Sequence, residues 1–191
     1  MLKKLATRVF NPLRLGRLAV ATGLISIALS ASPADATYAT CPGANLVQSA
    51  AKSFADASRT HNPAVFANAI SRYSDVNGLA LFALGQYRGE LPPNRKAEYV
   101  AKTRAYIGRF LAAHEGRFAN SALQIQSCFG GQIRSVAGRE SIVWKLSGNR
   151  VSDVEVGGVW LVAELRSKFV SIIRDGHGNI ESLFAFLDRN R

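Results

Sequence analysis

Histidine is the side chain best suited to moving protons or binding metal near neutral pH, and this chain has three: His61, His114 and His177. They lie far apart, and no two have the local spacing of a metal motif. His177 sits in Asp175-Gly176-His177-Gly178-Asn179. That stretch has the outline of a calcium loop. A histidine at its third position and the lack of an acidic ligand to close it argue instead for a glycine turn between helices. The chain contains no Gly-x-Ser-x-Gly elbow, Walker loop or dinucleotide fingerprint. No metal, cofactor or catalytic residue is expected.

The acids are isolated. Asp75 reads as a helix cap and Asp153 as a strand-end hydrogen bonder, not as a paired acid and base. A cavity enzyme is the competing class, because a curved sheet on helices can hold a buried acid, as in ketosteroid-isomerase-like folds. That chemistry needs a carboxylate pointing into an apolar pocket. Strand alternation puts Asp153 and Glu155 opposite Val154 and Val156, on the face away from the apolar set. For a third class, a structural or adhesion module, no feature of the sequence speaks.

The elements that must position these residues follow from periodicity. Ala44 to Arg59 reads as an amphipathic helix with Val47, Ala50, Ala51, Phe54 and Ala57 on its apolar face. Asn62-Pro63 is an N-cap with proline at the first helical position, opening a short helix through Ile70. Asp75 caps a third helix that Gly85 ends. After the turn at Leu91-Pro92-Pro93-Asn94, a long helix runs to about His114. From Leu123 the pattern is of strands. Leu123, Ile125 and Ser127 alternate with Gln124, Gln126 and Cys128, and turns are expected at Gly130-Gly131, Gly138 and Ser147-Gly148-Asn149. Ile142, Trp144 and Leu146 share one face. The last of about four strands ends at a Gly157-Gly158 corner, and a helix is expected from Val159. Gly176 closes it as a left-handed C-cap, and Asn179 caps a final helix. Helices, an antiparallel sheet, then helices make an α+β chain.

The 191 residues suit one domain plus a targeting segment. Lys3, Lys4, Arg8, Arg14 and Arg17 form a basic start, and Leu18 to Leu29 is an apolar run of about a dozen residues, short for a membrane span. Ala34-Asp35-Ala36 is a small-x-small cleavage site, so residues 1–36 are expected to be a signal peptide and 37–191 the exported domain, starting at Thr37. An uncleaved anchor is the alternative. Cys41 lies well beyond the apolar run and lacks the context of a lipidation site.

The formal charge is +11. Residues 1–36 hold five of the 24 Lys and Arg and one of the 13 acids, which leaves +7 on the rest. Basic proteins can bind nucleic acid or anionic surfaces. Export argues against nucleic acid, and the basic residues are scattered over the chain. In an oxidising compartment Cys41 and Cys128 are expected to pair. Two buried free thiols are the alternative, since a sequence carries no geometry.

The segment from Asn149 to Leu187 resembles the C-terminal signature of the MlaC family of periplasmic lipid carriers, also called toluene-tolerance or ABC-transporter auxiliary proteins. The matching residues are Asp153-Val154, Gly158-Val159-Trp160-Leu161, Leu165-Arg166-Ser167-Lys168-Phe169, Gly176 with Gly178, and Ile180 to Leu187. Trp160 stands where the family usually has Ser, and Leu165 where it usually has Tyr. Asp75, Ala83-Leu84-Gly85-Gln86-Tyr87 and the long helix after Pro92-Pro93 extend the resemblance over most of residues 37–191.

The resemblance implies a cone of curved sheet and helices, similar to the NTF2 fold, around an apolar lipid cavity. It implies a periplasmic shuttle without catalysis that carries phospholipid and maintains outer-membrane asymmetry. Its partners would be an inner-membrane ABC transporter with an MCE-type protein and an outer-membrane lipoprotein complex. A hopanoid or another polycyclic lipid is the alternative cargo. The residues it promotes from ordinary core to slot lining are Phe82, Val100, Ile107, Phe110, Leu123, Ile125, Ile142, Trp144, Val154, Val156, Val162 and Phe169.

Overall fold

The structure, a computed structural model, describes residues 41–114 and 122–189. The expected signal peptide, its cleavage site and Thr37 lie outside the described residues. Four helices come first: α1 (Ala44–Ser58), α2 (Pro63–Tyr73), α3 (Val76–Ala83) and α4 (Lys96–Ala113). Five strands follow: β1 (Leu123–Phe129), β2 (Gln132–Ala137), β3 (Glu140–Ser147), β4 (Arg150–Val156) and β5 (Val159–Trp160). Helices α5 (Leu161–Asp175) and α6 (Glu181–Arg189) close the described chain.

Local chemistry explains the helix starts. The Asn62 side chain accepts the N–H of Ala64 ahead of Pro63, and Asp75 Oδ1 accepts the N–H of Gly78 at 3.0 Å. Between α3 and α4 the chain makes two short 3-10 turns, Gly85–Glu90 and Pro93–Arg95. Helices α2 and α4 pack directly on each other. A Cβ at Gly108 would lie 2.6 Å from the carbonyl oxygen of Pro63 and 2.9 Å from Ala67 Cβ, so the crossing needs glycine there. Lys102, buried among α4 neighbours, pairs with Glu98 of its own helix and with Asp188 of α6. Arg95 bridges to Glu181 and covers the Phe184 ring at 3.6 Å. These contacts tie the last helix to α4.

The strands form one antiparallel sheet in sequential order. It has five strands where about four were expected. The extra one is Val159–Trp160, which folds back on Val156 and Glu155 across the Gly157-Gly158 corner, so that α5 begins at Leu161 and not at Val159. Two residues are too few for a periodicity signal.

Two bulges set the faces. Directly paired residues share a face, and Ile142, Trp144 and Leu146 pair with Val156, Val154 and Val151. Val151 and Val154 are three residues apart and would point to opposite faces in a regular strand. Ser152 is left unpaired between them and its hydroxyl donates to the Lys145 carbonyl at 3.1 Å, which restores the apolar face. In β1 the unpaired residue is Gln126. It moves Cys128 onto the face of Leu123 and Ile125, correcting the simple alternation read above. Cys128 is thereby turned toward the start of α1, where it is bonded to Cys41 with the Cα atoms 5.9 Å apart.

The end of α5 also differs in detail. Gly176 has φ −85°, and the left-handed position is taken by His177 at φ 60°. The N–H of Gly178 donates to the carbonyl of Ile173 and that of His177 to the carbonyl of Arg174, both at 2.9 Å, the two bonds of a Schellman cap. Glycine is needed at 176 for space, since a Cβ would meet Ser182 Oγ at 1.9 Å.

Candidate functional site

An apolar cleft of about 390 Å³ lies between the sheet and the helices. Its floor is Ile142 and Trp144 of β3 with Val154 and Val156 of β4; Phe110 and Leu111, from the last turn of α4, form another wall. Phe54, Ile70, Leu79 and Val151 also line it and are themselves buried. Three lining residues are exposed to solvent: His114, Glu164 and Val159, the last 55% exposed. No lysine or arginine belongs to the wall among the described residues. Such a volume is at the low end of the ~300–1,000 Å³ typical of ligand pockets.

The floor is held by hydrogen bonds. Trp144 is 3% exposed, and its indole N–H donates to Ser135 Oγ at 2.9 Å. Ser135 is wholly buried on β2, and its hydroxyl donates onward to the Ile142 carbonyl at 3.4 Å. A buried indole N–H needs a partner of this kind. A serine between Arg134 and Val136 gives no sign in the sequence that it will orient a tryptophan on the neighbouring strand.

Asp153 sits at the junction of floor and helix. Its strand partner is Lys145 on the outer face, as alternation requires. Its carboxylate nevertheless reaches the cleft wall and accepts the N–H of Val154 at 2.8 Å and that of Val162, in the first turn of α5, at 3.0 Å. Burial pushes its pKa above the ordinary carboxylate value, against the pull of those two amides and of Lys145. Its oxygen is engaged in joining β4 to α5. Among the described residues no group of three His, Cys, Asp or Glu is placed to hold a metal ion.

Of the twelve residues singled out from the sequence, five meet at this cleft: Phe110, Ile142, Trp144, Val154 and Val156. Ile107, Ile125, Val162 and Phe169 are buried in the core, and Leu123 packs against it half-buried. Val100 lines a separate groove. Phe82 is 54% exposed on the outside of α3, with the Arg166 guanidinium 5.0 Å above its ring. The sequence reading missed Phe54, Ile70, Leu79, Leu111, Val151 and Leu161. All six fall on apolar stripes, but a stripe says that a residue is covered and not by what.

Solved structures place this architecture. The phospholipid-binding protein from Ralstonia solanacearum, solved in complex with a phospholipid, superposes with a TM-score of 0.62 at 16% sequence identity. The match covers 76% of this chain and 94% of that one. No curated protein matches the chain. The MlaC protein family matches residues 44–189, from the first residue of α1 to the last of α6. Its helices, its open antiparallel sheet and the C-terminal pair that first pointed there thus fall within one match, and the chain belongs to the MlaC family.

Proposed function

We propose that this protein is a periplasmic lipid carrier that binds a phospholipid by its acyl chains and passes it between membrane complexes. The observation that carries the reading is the cleft: mainly aliphatic and aromatic in its lining, with Ser74, His114, Asp153 and Glu164 as its polar members, and free of lysine and arginine among the described residues. Family membership and the phospholipid seen in the Ralstonia protein support it. A two-chain lipid exposes on the order of thirty methylenes at about 0.8 kcal/mol each, so it does not cross water unaided. A carrier must replace bilayer contacts with a dry slot, and it needs no catalytic geometry. The cleft must widen, or take one chain at a time, to hold both. An ABC transporter of the inner membrane would supply energy, and a lipoprotein complex of the outer membrane would be the other partner. The protein is thus read as a binding protein and not as an enzyme.

Native mass spectrometry of protein purified from the periplasm without detergent tests this. One bound lipid per chain is expected, and its mass distinguishes a glycerophospholipid from a polycyclic hopanoid. Bare polypeptide that takes up neither lipid on addition would overturn the reading.

A further inference from the structure

A second concavity, about 880 Å³ and of mixed polar and apolar lining, opens between the end of α2, the start of α3, the first half of α4 and the β3–β4 hairpin. Three cations reach its wall: Lys96 and Arg104 from one face of α4, and Arg150 from the start of β4. Asp75 is the one acid there, and its Oδ1 already accepts from Gly78. The two arginines converge on a single residue. Arg104 Nη1 lies 3.4 Å from Ser71 Oγ, and Arg150 Nη1 donates to the Ser71 carbonyl at 3.2 Å and to that of Arg72 at 3.1 Å. Those partners are neutral. No salt bridge neutralises Lys96, Arg104 or Arg150 among the described residues. Like charges gathered in a concave surface repel one another and raise the local concentration of anions.

We propose that this groove is a binding site for a phosphate group. Guanidinium and ammonium groups beside the hydroxyls of Ser74 and Ser147 offer the donors that a tetrahedral oxyanion accepts, while the Ser71 hydroxyl donates to the Ala67 carbonyl and serves to hold Arg104. Ser74 belongs to the wall of both the groove and the apolar cleft, and its backbone bridges to Val151, a buried residue of the cleft lining. The charged side chains in the cleft wall, Asp153 and Glu164, are both acids. An anionic headgroup is therefore repelled by the cleft and attracted by the groove next to it. The phosphate is either that of the carried lipid, which rests on the carrier reading, or that of a soluble phosphate ester.

The test uses exposed residues, Lys96→Ala with Arg104→Ala, which gives up one long bond to Ser71 Oγ. A matched loss of charge elsewhere, Lys52→Ala with Arg59→Ala, gives up the exposed pairs with Asp56, and melting of both variants checks that the fold is kept. Arg150 is left alone because it caps the end of α2. Lipid-free protein is titrated with dioleoyl phosphatidylglycerol, with dioleoylglycerol, which lacks the phosphate, and with glycerol 3-phosphate, following the backbone amide signals of Ser71, Ser74 and Lys96. If the headgroup sits here, the groove variant loses about tenfold in affinity for the phospholipid, as expected for lost charge-assisted bonds. It then keeps its affinity for dioleoylglycerol, and the control variant keeps both. If the source is soluble, glycerol 3-phosphate moves those amides in the wild type and not in the groove variant, and lipid affinity is unchanged. The proposal is overturned if neither phosphate compound separates the variants, including the case where only a polyglutamate peptide binds the groove. Wild type that takes glycerol 3-phosphate but no lipid keeps the groove and removes the carrier.

Discussion

The indole N–H of Trp144 donates to the hydroxyl of Ser135, across the β2–β3 pair and on the same face of the sheet as the cleft floor. Ser135→Ala leaves that N–H buried without an acceptor, which costs about 1–3 kcal/mol. Urea unfolding should show a lower midpoint at unchanged slope. Ser135→Thr, which keeps the hydroxyl, should lose less. Equal stability of the wild type and the alanine variant would deny Ser135 this role.

Gly108 carries the crossing of α2 and α4. Alanine there meets a backbone carbonyl and must push the helices apart, at a cost of about 1–3 kcal/mol. Phe110 and Leu111 follow within one turn and wall the cleft. Gly108→Ala is therefore expected to lower both thermal stability and lipid retention, measured by melting and by native mass spectrometry on the same sample. Loss of neither would show that the crossing has slack.

Val154 faces the cleft and Glu155 the outer surface. Val154→Arg puts a charge among acyl chains at several kcal/mol unless it escapes to water, and lipid should be lost. Circular dichroism must show the fold retained. Glu155→Lys, one residue away on the other face, should keep its lipid. If both variants keep it, the cleft is not the lipid slot.

Cys41 and Cys128 close a loop of 87 residues. The chain-entropy account gives such a bond up to ~4–5 kcal/mol. Alkylation of denatured, unreduced protein should label neither cysteine, and reduction should lower the melting temperature. Two adducts before reduction would show both thiols free.

Asp153 has a raised pKa, so the folded protein holds its proton more tightly than the unfolded chain does. Stability from this group is then fullest below the unfolded pKa and falls as pH rises through the folded one. Asn at 153 keeps an acceptor for both amides without the charge. Asp153→Asn should be at least as stable as the wild type at pH 7, and the two should converge at pH 3. A variant that loses stability at pH 7 but not at pH 3 would mean that the charge itself stabilises the start of α5.

The amino-acid sequence by itself determined the family and the order and type of the longer elements, but not the two-residue strand Val159–Trp160 or the 3-10 turns before α4. Caps and periods are local: Asn62 before Pro63, Asp75 before α3 and the stripe of α5 act within a few residues of where they are read. It did not determine the faces of the sheet. Period-two alternation carries no mark of an extra residue, so Gln126 and Ser152 could be recognised as bulges only once a neighbouring strand left them unpaired. One of those bulges brings Cys128 round to Cys41, and the other keeps Val151 in line with Val154. The division of the apolar residues between core and cleft was also tertiary. Ile107 and Phe110 lie one turn apart on α4, and only the second reaches open space. Burial depends on what stands opposite, and that is decided by how α4, β4 and α5 meet.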